Sequence, residues 1–372
     1  MDFNLSGEQQ MLTDMLGRFL AERYDLTVRD GIAFSETGWS PQLWRQMAEL
    51  GIIGAILSEN AGGFAGDAFD IGAVFERLGG ALVVEPFLSV LMAGRAIAGA
   101  GGAFDRLPLI GAGEIIPAFA HQEAGKFFHT ESVQTQASRN GDGWRLSGKK
   151  IVVPQLAAAD IIVVSARSSA PQAAEEISLF LVDPRSSGVE LESYALIDGG
   201  RGGDLLLANA PATLLGAEGQ ATPVIADAVA AGIVALAWEA VGIMDVLKSM
   251  MLEFLRTRQQ FDRPIGKFQA VQHRMATIAM EIEQARSSAI NAAAALDGPH
   301  IPRDRAGSAA KYTIGRVGTI VAEEVIQLHG GIGMTWELPL SHYAKRLVMI
   351  GHQLGDEDDH LDRFVALARQ SA

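Results

Sequence analysis

Two spacings of apolar residues run along this chain, and the places where one gives way to the other divide it. From residue 7 to about 100, apolar residues return every three or four positions. Met11, Met15, Leu16, Phe19 and Leu20 fall on one helical face. Ser40 and Pro41, followed by Leu43, Trp44, Met47 and Leu50, read as an N-cap, a first-turn proline and an apolar stripe that Gly51 closes. Gly62-Gly63 marks a loop, and Val74, Leu78 and Leu82 resume the helical spacing. After about residue 105 the runs shorten and become strand-like: Trp144 to Ser147, Lys150 to Val153, Ile161 to Val164, Ile177 to Val182 and Leu205 to Leu207. Asn140-Gly141-Asp142-Gly143 and Asp183-Pro184 supply turns between them. From about Pro223 the helical period returns, with Ile243, Met244, Leu247, Met251, Phe254 and Leu255 on one face and Asp245, Lys248, Glu253 and Arg256 on the other. Further helices are predicted over 268–296 and 308–328. A last one follows Gly355, its acidic start at Asp356-Glu357-Asp358-Asp359 matching the helix dipole. The pattern predicts an α+β chain in three parts: an N-terminal helical domain (1–105), a middle antiparallel β domain (106–222) and a C-terminal four-helix-bundle domain (223–372).

Composition narrows the partners. The net charge of −14 argues against nucleic acid or an anionic membrane as the main partner, yet leaves room for a small anion held by a few Arg and Lys side chains. The chain has no cysteine, which excludes disulfides, a thiol nucleophile and Cys-ligated metal, and no other spacing predicts a metal site. The opening residues Met1 to Ser6 lack a basic segment followed by an apolar core, and no run approaches the roughly eighteen apolar residues that span a bilayer. A cytoplasmic protein with no membrane partner is expected.

Two strings carry candidate chemistry. One runs from Arg256 through Arg258, Phe261 and Asp262-Arg263-Pro264-Ile265-Gly266 to Gln269. The other is Gln327-Leu328-His329-Gly330-Gly331-Ile332-Gly333-Met334. A guanidinium at a helix end can grip a pyrophosphate, and paired glycines leave backbone N–H groups bare for a phosphate. The plain alternative is a solvated Arg, a packed Phe and a helix C-cap. His329 and His273 have no metal-ligand spacing and read as packed or surface residues. No GxG cluster has the strand-to-helix context of a dinucleotide-binding turn.

In this order, in a chain of this length, the two strings resemble the acyl-CoA dehydrogenase family over essentially the whole sequence. The resemblance implies FAD as cofactor, an acyl-CoA substrate, an acceptor like electron-transfer flavoprotein, and flavin sites built across a subunit interface. It assigns Arg258, Phe261 and Gln269 to one face of that interface and Gln327, Gly330 and Gly331 to the other.

The resemblance also fixes where the catalytic base should stand. Acyl-CoA dehydrogenation needs a carboxylate to remove the α-proton, donors to the thioester carbonyl, and a flavin to take the β-hydride. Counted forward from the glycine pair, the family's Glu-Gly-Thr falls on Leu354-Gly355-Asp356, so leucine occupies the base position. The alternative base position of some members falls on Gly232. Asp227 and Glu239 lie within two turns of it, and Asp356 lies two residues beyond Leu354. Glu239, inside the apolar run Ala237-Trp238-Glu239-Ala240-Val241, is the carboxylate that burial could tune as a base. The β domain departs too: Ala120 to Gly125 replaces a Thr-Glu-Pro-like string, and Lys149 to Pro154 lacks the usual Trp. Together with Ala240-Val241-Gly242, Tyr343 to Leu347 and Gly355-Asp356 ahead of His360-Leu361, these departures resemble the small (β) subunits of heteromeric acyl-CoA dehydrogenases. That subgroup implies a Glu-bearing partner subunit and a bulky or carboxylated acyl-CoA, such as a sterol side-chain or dicarboxylic thioester. Three other readings stay open: a flavin oxidase or monooxygenase on the same fold, a structural partner without its own flavin, and a self-sufficient enzyme using Glu239.

Overall fold

A computed structural model describes residues 5–64, 66–101, 104–125, 132–141, 143–168 and 176–370. The chain begins with helices α1 (Gly7–Arg23), α2 (Leu26–Ala33), α3 (Pro41–Glu49), α4 (Ile52–Ala55), α5 (Ala68–Gly80), α6 (Phe87–Ala100) and α7 (Leu107–Gly111). Among the described residues seven strands follow: β1 (Pro117–Ala120), β2 (Gln136–Asn140), β3 (Gly143–Pro154), β4 (Ile161–Ser168), β5 (Ile177–Val182), β6 (Val189–Ala195) and β7 (Arg201–Leu215). Helix α8 (Thr222–Thr257) leads through a two-strand hairpin, β8 (Gln259–Gln260) and β9 (Arg263–Pro264), into α9 (Gln269–Ala295), α10 (His300–His329), α11 (Leu340–His352) and α12 (Glu357–Gln370). This is the expected α+β order of helices, strands and helices.

The helix starts follow the sequence signals. Ser6 caps α1 in a reciprocal box with Gln9, and Ser40 caps α3 ahead of Pro41. By length and hydropathy α8 passes the test for a bilayer-spanning helix, which corrects the expectation that no run comes close. Its apolar window is 83% buried, the state of a core helix.

The chain forms two compact units. One comprises Met1–Arg29, Gly72–Val83 and Ile233–Ala372; the other comprises Asp30–Ile71 and Val84–Gly232. In the second unit the strands pair mainly antiparallel, while β1 and β2 lie parallel to β4. The pairings β4–β2, β2–β3, β3–β7, β7–β5 and β5–β4 close a ring, with β1 and β6 added outside it. Alternate residues of these strands, including Leu146, Val164, Phe180 and Leu205, are fully buried in one core, where Trp144 meets Phe180 edge to face.

In the helical unit α10 packs on α9, α11 and α12. Arg286 of α9 bridges Glu76 of α5 and Asp245 of α8. Helices α5 and α8 touch backbone to backbone. A Cβ at Gly79 would run into the Glu239 carbonyl, and one at Gly242 into the Glu76 carbonyl, so both positions exclude any side chain.

Candidate active site

Helix α8 ends at Thr257, and the carbonyl of the next residue, Arg258, accepts from Ile265 N–H at 2.9 Å and so closes the hairpin at its base. The hairpin pairs Gln259 with Pro264 and Gln260 with Arg263, leaving Phe261 and Asp262 as a two-residue loop. Both have left-handed φ angles, 54° and 59°, the requirement of a type I′ turn. A non-glycine residue held there costs about 1–2 kcal/mol. Phe261 is 84% exposed, its ring edge-on to Phe268, over which Arg263 lies at 4.1 Å. Arg258 is exposed and has no ion pair among the described residues. Gln269 is exposed at the first position of α9. Beside the hairpin a cleft of 580 Å³ opens between the end of α8 and the start of α9, with Leu252, Leu255, Val271 and Met275 in its lining and the cations Arg256 and Lys267.

Helix α10 ends at His329, and Gly330 caps it with φ 68°. A Cβ at Gly330 or Gly331 would meet nothing within 4 Å, so this backbone is bare, and Gln327 one turn earlier is exposed. His329 is packed, as its surroundings in sequence predict. Its Nδ1 lies 2.8 Å from the Val325 carbonyl, its ring stacks on Phe254 at 4.3 Å between centroids, and burial lowers its pKa. That stack has a consequence for the predicted residues. Phe254 lies one turn before Arg258, and His329 directly precedes Gly330. The two sets assigned to opposite faces of an interface therefore converge at one end of this chain's helical unit. His273 is exposed on α9.

The positions around the expected base are occupied otherwise. Leu354 sits in the turn between α11 and α12 with φ 55°. Glu239 is nearly buried, and Arg346 holds both its oxygens at 2.6 and 2.8 Å. Asp227, in the other unit, pairs with Arg95 at 2.6 and 3.2 Å. Asp356 caps α12, accepting from Asp359 N–H at 3.0 Å; that bond, outweighing partial burial, holds its pKa below the ordinary carboxylate value. Asp227, Glu239 and Asp356, the three carboxylates near the expected base positions, thus each have a structural task already.

Sequence reasoning missed a buried polar knot in the strand unit. Glu123 accepts from the backbone N–H groups of Gln134 (2.6 Å) and Thr135 (3.0 Å), from the Thr135 hydroxyl (2.6 Å) and from Lys150 Nζ (2.6 Å). Lys150 is fully buried and also donates to Ser165 Oγ at 3.0 Å and the His121 carbonyl at 3.2 Å. Burial brings its pKa down to about 8 against the pull of Glu123. Burial raises the Glu123 pKa, but Lys150 and Thr135 outweigh it and the net shift is downward. Burial, with Lys150 nearby, takes His121 to about 3, so this ring is neutral. The knot ties together the two segments that depart from the family strings. The legible signal was Lys150 itself, standing at an inward position of an apolar strand. Among the described residues no three His, Asp or Glu side chains are grouped to hold a metal.

A helical segment, a closed strand ring and a long helical array follow one another along the chain. Models of the acyl-CoA dehydrogenase N-terminal, middle and C-terminal domains match residues 6–102, 118–204 and 222–358. The chain belongs to the acyl-CoA dehydrogenase family, a family of oxidoreductases. It is similar to the probable acyl-CoA dehydrogenase YngJ of Bacillus subtilis (strain 168), with 26% identity over 384 residues, spanning 100% of this chain and 99% of that protein. The solved Tcur3481-Tcur3483 steroid ACAD has a TM-score of 0.89 with it at 30% identity, covering 98% of each chain. The ChsE4-ChsE5 complex from Mycobacterium tuberculosis shares the fold, with a TM-score of 0.88 at 24% identity over 100% of both chains.

Proposed function

We propose that this chain is the base-lacking subunit of a heteromeric, FAD-dependent acyl-CoA dehydrogenase, with a Glu-bearing dehydrogenase chain as its partner. The observation that carries the reading is Leu354 at the base position, with Asp227, Glu239 and Asp356 all engaged elsewhere. A leucine moves no proton, and a base displaced by several ångströms loses orders of magnitude in rate. The similar steroid ACAD is a Tcur3481-Tcur3483 pair, which supports a two-chain enzyme and a bulky, sterol-like acyl group.

The residues at the end of the helical unit fit a large anionic, aromatic cofactor. Arg258 offers an exposed guanidinium with no ion pair among the described residues, Phe261 a largely exposed ring on a rigid turn, and Gly330-Gly331 a backbone with open space around it. In this reading Arg258 pairs with the pyrophosphate, Phe261 and Gln269 flank the cofactor, and Gln327 and the glycine pair supply polar backbone and side-chain contacts. Bound FAD supplies the two-electron acceptor that no side chain can provide. In this reading the partner subunit's Glu removes the α-proton, and Leu354 takes no part in proton transfer. The parts would follow the sequence divisions 1–105, 106–222 and 223–372, in a cytoplasmic oligomer that passes electrons to an acceptor like electron-transfer flavoprotein.

The test is co-expression with any neighbouring dehydrogenase-like chain, followed by measurement of flavin content, subunit ratio and turnover with an artificial electron acceptor. Alone, the chain is expected to turn over at least about 100-fold more slowly than the pair, the scale of a missing general base. A fast rate from the chain alone would overturn the reading. Arg258→Ala should lower flavin content without unfolding the helical unit.

A further inference from the structure

The turn that carries Leu354 is held from three sides by buried or half-buried polar groups. Lys311 of α10, with no exposed surface, donates from Nζ to the Gly351 carbonyl at 2.8 Å and the Gly355 carbonyl at 2.5 Å. His360 of α12 meets the Leu354 carbonyl through Nε2 at 2.8 Å. Arg346 of α11, fixed by Glu239, donates from Nη1 to Gln353 Oε1 at 3.0 Å. Asp356 and Asp359 then cap α12 reciprocally, so the turn is pinned where it ends as well.

These bonds do more than satisfy the last carbonyls of α11. Water or a tightened last turn would do that for an exposed helix end. Here a lysine lies wholly inside the protein, and no carboxylate is within ion-pair distance of it among the described residues. The backbone it supports is left-handed at Leu354 and again at Gly355, with φ 55° and 110°. A Cβ at residue 355 would collide with the His360 ring, so only glycine fits there. Burial holds the His360 pKa at about 4, so its ring is neutral and Nε2 can carry the proton donated to Leu354. The result is an over-determined turn that fixes the direction of one side chain, that of residue 354.

We infer that Lys311, Arg346 and His360 are positioning residues, a preset cradle that aims whatever side chain stands at 354. The cradle is intact in this chain although the side chain it presents is leucine. A carboxylate placed at 354 is then aimed without further change, and the missing proton transfer is restored by one substitution. The inference rests on the proposed function for the identity of position 354 as the base position.

The experiment has two arms on the full-length, flavin-loaded chain. Amide hydrogen exchange over residues 350–356 reads the cradle directly. Lys311→Met and His360→Leu should each speed it at least about tenfold while α9 is unchanged, and His360→Gln, which keeps a donor, should stay near the original. Unchanged exchange in both disrupting variants overturns the cradle. The second arm follows flavin reduction by a saturated acyl-CoA in single turnover. Leu354→Glu should raise the rate on the order of 10²–10⁴-fold, the usual contribution of a positioned base. Adding Lys311→Met should remove at least about tenfold of that gain at saturating acyl-CoA, a misalignment effect, with ligand affinity and flavin content unchanged. A loss seen only as weaker binding or lower flavin content overturns the positioning role. No gain from Leu354→Glu, with the turn still protected, removes position 354 from the chemistry. That overturns the reading beneath the inference and leaves the exchange result to stand alone.

Discussion

Lys150 of the strand unit and Lys311 of the helical unit are both fully buried, and they are held in different ways. Lys150 faces a carboxylate at 2.6 Å, a hydroxyl and one carbonyl. Lys311 faces two carbonyls at a helix end and no carboxylate at ion-pair distance among the described residues. Asp356, Glu357 and Asp359 act on it only through space, and burial brings its pKa down to about 7, lower than the value of about 8 at Lys150. The difference separates two uses of an interior charge. One is balanced by an opposite charge and locks two segments together. The other is balanced by aligned peptide dipoles and shapes a single turn.

The largest effect should come from splitting the ion pair. Lys150→Met leaves Glu123 charged and buried, and breaking such a pair costs about 3–5 kcal/mol, read from chemical denaturation. Adding Glu123→Gln should recover at least about half of that, because the buried charge is gone while acceptors for Thr135 remain. A double variant as unstable as the single would mean that the charge balance is not what matters. Lys311→Met should cost less, about 2 kcal/mol, since it strands two carbonyl acceptors but also removes a costly buried charge. Equal costs for the two lysines would erase the distinction.

A further contrast is in pH. Both lysines have folded-state pKa values below the ordinary value, so in the alkaline range the unfolded chain binds more protons than the folded one. Stability then rises with pH between the folded and the unfolded pKa, and the burial penalty is complete below that window. For Lys311 the rise starts near pH 7, and for Lys150 near pH 8. Each should show as the difference in pH slope between the protein and its Lys→Met variant, with the Lys311 difference setting in at the lower pH.

Much of the architecture was legible because it rests on periodic patterns. The change from helical to strand spacing near residue 105 and back near Pro223 fixed the order of elements, and Ser40-Pro41 located a helix start that the structure keeps. The two candidate strings were legible as strings, but their convergence was not. It depends on the contact between Phe254 and His329, 75 residues apart in sequence, and no local pattern encodes that. The ring closure of the strands was hidden for the same reason, since β2 reaches β4 and β7 reaches β5 by non-local pairing. Glu239 could be read as a base from its apolar neighbours alone. Only Arg346, more than 100 positions later, reveals that its two oxygens are already taken.

The ring of strands has a further consequence for assembly. Closure leaves few backbone edges to recruit another strand, and those that remain are guarded. β1 is four residues long and fully buried, and β6 presents Glu190 and Glu192 to solvent. At the concentrations of a living cell, this protein offers little template for sheet extension. A partner chain docking on it would have to recognise side chains and helix surfaces, where a substitution can retune the choice of partner without inviting fibres.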